Sequence, residues 1–289
     1  KGADRGASTL SPRPFQGLIE CLQNADDLGA SNMHIAYIDK PCPELLIVHD
    51  GAPVTLANVG AMLLPWLSTK NGDANAAGRF GIGQRTLGAL GGPIALHAPP
   101  FHFVMGEDGP VSVEPYCDVD GVYQAGRRNT MLVIPLVQTV TGEKVVEAVR
   151  ELEVDSLIFL RSIRTLHFHH LNDPSKDLIF AIKVTPRRNG WIEFDDGAAE
   201  VEISDVEVVL PADRAQSYRR YSTWRTIRSG EKRSNKATGA CTPIGVCVPM
   251  NASPQPLRLY DRMPLPVLTG LPIGLNAQFD PDAARSTLL

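Results

Sequence analysis

Glu20 and Asn24 stand four residues apart in FQGLIECLQNADDLGAS, the run that begins at Phe15. On a helix, positions i and i+4 share a face, so the carboxylate and the carboxamide project together. The apolar residues Leu18, Ile19, Leu22 and Ala25 define a buried stripe beside them, which sets the polar pair at the edge of a core. A polar group there needs a partner. Ligand binding supplies one: a glutamate orients or deprotonates water, and an asparagine oxygen is a hard donor suited to magnesium. Taken alone, the pair reads equally as a solvated i,i+4 contact.

Two further stations follow in order. The strand-like run ELLIVH (Glu44 to His49) ends in Asp50-Gly51, where a carboxylate can accept from the exocyclic amine of a purine or simply close a turn. The run GRFGIGQRTLGAL begins at Gly78. Gly78, Gly81 and Gly83 allow close backbone approach, so the amides of Arg79, Phe80, Gly81, Ile82 and Gly83 can form a concave anion site opening a helix. The order G-x-x-G-x-G lacks the lysine-serine ending of a P-loop and does not fit the dinucleotide fingerprint.

With these residues in hand, the chain resembles the gyrase B, heat-shock chaperone, histidine kinase and MutL (GHKL) superfamily of ATPases, most closely the chaperone-like ATP-binding domains of sacsin. LIECLQNADDLGAS is similar to the family's first box, VHDGAPVT to its second, STKNGDANAAGRFGIGQRTLGAL to its third and NTMLVIPL, from Asn129, to its last. Further sacsin-like runs are LIFLRSIRTLHF and GLPIGLNAQFDPDAARSTLL, so the likeness extends from about residue 15 to the C-terminus and is patchy between about 175 and 255.

The resemblance implies binding of ATP with Mg2+. It makes Glu20 the general base, Asn24 the magnesium ligand and Asp50 the acceptor for the adenine amine. Thr130 supports Asp50, Lys70 and the Gly78–Gly83 backbone hold phosphates, and Arg285 reaches the γ-phosphate from a second domain. Two departures stand out: Asn129 replaces the usual glycine, and Ala52-Pro53-Val54-Thr55 replaces the glycine that packs under adenine. The implied activity is slow ATP hydrolysis driving lid closure over 68–84 and domain docking in a chaperone-like switch. The alternatives are a nonhydrolysing nucleotide-binding assembly module and a DNA-handling ATPase like MutL or gyrase B.

The elements that must position these residues can be read from periodicity and turn signals. The expected fold class is α/β: a two-layer α/β sandwich of the GHKL type over 1–140, then a smaller strand-rich α/β domain over 141–289. Helices are expected at 15–28, near 55–67, from about 81 and at 142–153. Strands are expected at 32–38, 44–49, 94–97, 101–104 and 130–136, with IRTLHFHH, LIFAIKV, WIEF, VEISDVEVVL, YRRYSTWRTI and IGVCVPM beyond them.

The 289 residues exceed one usual core, and 43 % hydrophobic with 21 % charged residues is an ordinary globular balance. A net charge of −4 disfavours nucleic acid as a partner. The absence of a membrane-length apolar run, together with five cysteines (21, 42, 117, 241 and 247) that match no zinc or redox spacing, points to a cytoplasmic chain with reduced thiols and no membrane partner. Client or partner proteins and a homodimer remain open. The chain begins at Lys1, which reads as a trimmed piece of something longer. His167, His169 and His170 suggest a metal, but without evident partners in sequence they are expected on a solvated strand edge. Eight basic residues between Arg214 and Lys236, with Tyr218, Tyr221 and Trp224 among them, read as a strand and a charged hairpin tip rather than a face for single-stranded nucleic acid.

Overall fold

The computed structural model describes residues 15–39, 41–63, 87–106, 109–152, 156–194, 197–212, 214–226, 241–251 and 256–279. Within them the chain is mixed α/β, rich in strand and sparing in helix. It divides into two compact units, the first holding 15–63, 87–152 and 161–180, the second 156–160 and 181–279.

The first unit opens with α1 (Gln16–Asp27). Leu18, Cys21, Leu22 and Ala25 are buried at helical spacing, while Ile19 is half-buried. Gly29, at φ 73°, ends the helix in the left-handed conformation that glycine adopts without strain, and Ala30 N–H bonds the Ala25 carbonyl at 3.0 Å. Next come β1 (Asn32–Ile38), β2 (Glu44–His49), α2 (Leu56–Leu63), β3 (Ala95–Ala98), β4 (Phe101–Gly106), β5 (Gly109–Ser112), β6 (Thr130–Pro135), α3 (Gly142–Arg150) and β7 (Thr165–His170). The sheet order is β7-β1-β2-β6-β3-β4-β5. β1 pairs antiparallel with β2 and parallel with β7.

Side chains alternate across this sheet. Met33, Ile35 and Tyr37 of β1 share a face with Ile47 and His49 of β2 and with His170 of β7. The described helix contacts fall on that face. A Cβ on Gly142, the first residue of α3, would lie 2.7 Å from both Tyr37 and His170, and a Cβ on Gly51 would lie 3.0 Å from Leu28, at the end of α1, and 3.1 Å from His49. The opposite face carries Ala36, Leu46, Val48, Met131 and Val133, packed under Val122 and Tyr123 of the 113–129 loop.

The second unit contains strands and no α-helix among its described residues, where an α/β domain was expected. Its described residues run from strand to strand through short turns, the longest strands being 14 and 13 residues. Residues 181–186 of β8 (Leu178–Pro186) pair with β10 (Gly197–Leu210), which pairs in turn with β9 (Gly190–Phe194) and β11 (Arg214–Thr226). The sheet continues through β12 (Cys241–Pro249), β15 (Gly274–Ala277), β13 (Arg258–Asp261) and β14 (Met263–Leu268). Phe159 and Tyr260 meet in its core with ring centroids 4.8 Å apart.

α2 follows the helix expected near 55–67 as far as Leu63, beyond which that expectation lies outside the described residues, while the helix expected to reach 153 ends at Arg150. The helix expected from about 81 falls mostly outside the described residues, which show a 3-10 turn at Gly88–Leu90. β7 is no solvated edge. Its pairing with β1 buries His169 and His170. Arg214–Thr226 forms β11, the expected hairpin tip beyond it lies outside the described residues, and two of the strand's basic groups are used internally: Arg219 Nε donates to Asp205 at 2.9 Å, and Arg220 Nη1 donates to the carbonyls of Ile158 and Leu160 at 3.0 and 2.9 Å. No helix of the described residues is long and apolar enough to cross a membrane.

Asp26 is the main polar tie between α1 and the chain entering β7. Its carboxylate is 3 % exposed and accepts from the consecutive amides of Arg161, Ser162 and Ile163 at 2.8–3.1 Å. Asp26→Ala strands three amides around a vacated carboxylate, a loss on the order of 3 kcal/mol. Urea unfolding should show the midpoint falling accordingly, whereas Glu143→Ala, which removes an exposed contact to Lys176, should leave it nearly unchanged.

Candidate functional site

Three of the four motif stations lie in described residues; the second and fourth stand at one end of the first sheet, close to where the chain leaves the helix that carries the first. Glu20 and Asn24 are both half-buried and one turn apart on α1. The end of α1 is tied to the second station by Ala52 N–H, which bonds the Leu28 carbonyl at 2.7 Å. Asp50 follows directly on β2, and the strand register sets His49 opposite Thr130, the first residue of β6. Thr130 is buried, and Asn129 before it is half-buried. Lys70, Gly78, Arg79, Phe80, Gly81, Ile82, Gly83 and Arg285 lie outside the described residues.

Asp50 is exposed and has a structural task of its own. Its Oδ1 accepts from the amides of Ser31 and Asn32 at 2.7 and 2.8 Å, and its Oδ2 accepts from Asn32 Nδ2 at 2.7 Å. Partial burial pushes its carboxyl upward, but the bonds from Asn32 and Ser31 outweigh it and hold the group below the usual carboxylate range. Asp50 is therefore ionised and clamps the start of β1. Oδ2 keeps a second lone pair for another donor.

On the face away from α3, Asp50 borders a cavity of about 260 Å³ whose wall includes Asn32, His34, Val48, Tyr123 and Arg127. Its volume falls below the ~300–1,000 Å³ of pockets that enclose whole drug-sized ligands. The buried Tyr123 hydroxyl has no hydrogen-bond partner among the described residues, and burial followed by the charge of Asp118 pushes its pKa up, so the phenol stays protonated. Sequence reasoning passed over this side of the sheet, because the loop that covers it is rich in Pro, Asp and Gly and reads as turns.

The sequence also gave no sign that the histidines of β1 and β7 meet. His34 pairs with His167 across the parallel register, and His169 lies two residues farther along the same face. His170 points to the other face, against Tyr37, with ring centroids 5.0 Å apart.

No protein-family model and no curated protein matches the chain. Among solved structures it is similar to the 43K ATPase domain of Thermus thermophilus gyrase B in complex with an aminocoumarin, at 14% identity and a TM-score of 0.37, over 67% of this chain and 57% of that one. The chain thus spans little more than half of that domain's length.

His49, between the clamp and Thr130, generates a pH prediction. It is 8 % exposed, and burial pushes its pKa from 6.5 down to about 4 against the opposing pull of Asp50. A depressed histidine is neutral when folded and protonated when unfolded at mildly acidic pH. Its contribution to stability is complete above about 6.5 and is lost as pH falls towards about 4. His49→Asn retains an acceptor for the Gly51 amide, which His49 Nδ1 meets at 3.3 Å. Urea midpoints at pH 7, 6 and 5 should show the wild type losing stability relative to this variant, by up to about 1.4 kcal/mol per pH unit. Parallel pH profiles would remove His49 as a buried neutral group.

Proposed function

We propose that this chain is an adenine-nucleotide-binding module of the GHKL kind, holding ATP with magnesium beside α1, Asp50 and Thr130 and hydrolysing it slowly. The supporting observation is convergence. A helix with a half-buried Glu/Asn pair, a strand-terminal Asp-Gly and a buried threonine are ordered as in the GHKL boxes, the chain leaving that helix is bonded to the second of them through Leu28 and Ala52, and His49, next to the Asp-Gly, is in register with the threonine.

The donor set fits the magnesium that this reading implies. The Asn24 amide oxygen is a hard, neutral ligand beside the carboxylate of Glu20, and magnesium typically takes one or two protein oxygens and completes its shell with water and phosphate. When bound, the ion would neutralise phosphate charge. In this proposal Glu20 orients the attacking water and takes its proton, Asn24 carries the metal, and Asp50 Oδ2 accepts from the adenine amine while Oδ1 keeps its bonds to β1. Thr130 supports that carboxylate. The phosphate-side roles of Lys70, Gly78–Gly83 and Arg285 come from the motif resemblance alone. So does the finer reading, in which turnover closes the lid and docks a second domain in a chaperone-like switch. Net charge and the internal pairing of Arg219 and Arg220 favour that switch over a DNA-handling ATPase.

The clamp decides how the proposal is tested. Asp50→Asn loosens the start of β1 as well as the base site, so loss of binding in that variant does not isolate adenine recognition. The cleaner experiment is calorimetric titration with ATP, ADP and GTP, with and without magnesium, paired with phosphate release by wild type, Glu20→Ala and Asn24→Ala. The proposal requires adenine-selective binding, a 10²- to 10⁴-fold slower turnover in Glu20→Ala at similar ATP affinity, and loss of the magnesium-dependent part of binding in Asn24→Ala. Tight binding without wild-type turnover selects the nonhydrolysing module, and no nucleotide binding overturns both readings.

A further inference from the structure

Three imidazoles from two strands meet on the face of the first sheet away from α3. His34 Nδ1 and His169 Nε2 are 3.0 Å apart, and one ring nitrogen from each of His34, His167 and His169 can be chosen so that all three lie within 4.8 Å of one another. The rings crowd together, with centroids 5.3 Å apart for His34 and His169 and 3.7 Å apart for His167 and His169. We propose that His34, His167 and His169 form a zinc site, with Asp177 as its supporting carboxylate.

The distances suit the ion. Zinc held tetrahedrally at ~2.0–2.1 Å from each donor keeps its ligands roughly 3.3 Å apart, so the triad needs only small ring movements. Asp177 completes the arrangement on the other side of His169. Its Oδ1 is fixed by the His170 amide at 2.8 Å, and its Oδ2 lies 3.7 Å from His169 Nδ1 and 3.9 Å from His167 Nε2. A ring that turns Nε2 to a metal and Nδ1 to a carboxylate is the usual orientation of a zinc-bound histidine. Three imidazoles leave a fourth position for water.

A metal-free hydrogen bond explains less of this geometry. One N–H···N bond joins His34 and His169 and leaves His167 beside them without a hydrogen-bond role in the cluster, while Asp177, at 3.7 and 3.9 Å, stands just beyond hydrogen-bond range of both His169 and His167, a gap that small ring movements on binding a metal would close. Burial lowers the pKa of His34, His167 and His169, reinforced by the neighbouring imidazoles for His34 and His169, while Asp50 opposes the shift in His34 and Asp177 opposes it in His167 and His169. Neutral rings at pH 7 keep the lone pairs that a metal uses. The parallel register makes the cluster rigid, since His34 and His167 are direct partners and His169 follows on the same face.

The experiment is zinc uptake by the chelator-dialysed full chain, measured by elemental analysis after gel filtration, with cobalt as a spectroscopic substitute. The expected result is one zinc per wild-type chain, loss in His34→Ala and His167→Ala, 10- to 100-fold weaker binding in Asp177→Asn, and full retention in His97→Ala. His97 belongs to a separate imidazole pair, 3.3 Å from His102, and serves as the control. Cobalt-loaded wild type should show visible bands of four-coordinate geometry without a thiolate charge-transfer band, a readout that does not depend on any variant folding. The proposal is overturned if the wild type takes up no zinc, if folded His34→Ala and His167→Ala hold zinc as tightly as wild type, or if cobalt reports thiolate ligands from the chain's cysteines.

Discussion

The register of β1 is the constraint on which the first unit depends. The strand pairs with β2 on one side and β7 on the other, and its first residue is held by the Asp50 carboxylate through the amides of Ser31 and Asn32 and the Asn32 side chain. Because side chains alternate, a slip of one residue would turn Met33, Ile35 and Tyr37 away from the face that carries α3 and drive His34 into it. The cost would be the burial of three large side chains, each about 1.5–3 kcal/mol, together with a polar ring in an apolar layer. An exposed carboxylate thus governs a buried arrangement: it acts at the strand's origin, where a small displacement changes every later position.

The same constraint divides the chemistry between two faces. On the side of α3 lie His49 and Thr130, with Leu28 at the C-terminal end of α1 close to Gly51 beside them. On the other side lie His34, His167, His169 and the cavity beside Tyr123. Asp50 belongs to both neighbourhoods, as clamp of β1 and as part of the cavity wall.

What could be read from the sequence was what periodicity encodes. β1 and β2 coincide with the expected 32–38 and 44–49, and α1 with 15–28 to within a residue, because alternation and the i, i+3, i+4 spacing are local signals. Asp26 was passed over because it falls in the last turn of the expected 15–28 helix, where nothing local says that the amides of Arg161 to Ile163 enclose its carboxylate. The histidines were read three in a row, but parallel pairing sorts them by face, admitting His34 from about 130 residues away and excluding His170. The same distance problem hid Asp205, which engages the basic segment from the neighbouring strand. The motifs of the candidate site could be read in order from the sequence; the clamp that Asp50 makes on β1 could not, since its partners Ser31 and Asn32 have no mark of their own.

The central claim is that adenine nucleotide meets the chain where α1, the Asp50–Gly51 turn and the start of β6 come together. Hydrogen exchange with MgATP and with MgGTP tests it most directly, reading amides on peptides that cover 18–25, 50–52 and 129–131. The account predicts protection of all three segments by MgATP, with little from MgGTP. Absence of protection in those segments at saturating MgATP, or protection confined to the β10–β11 pair, would contradict it.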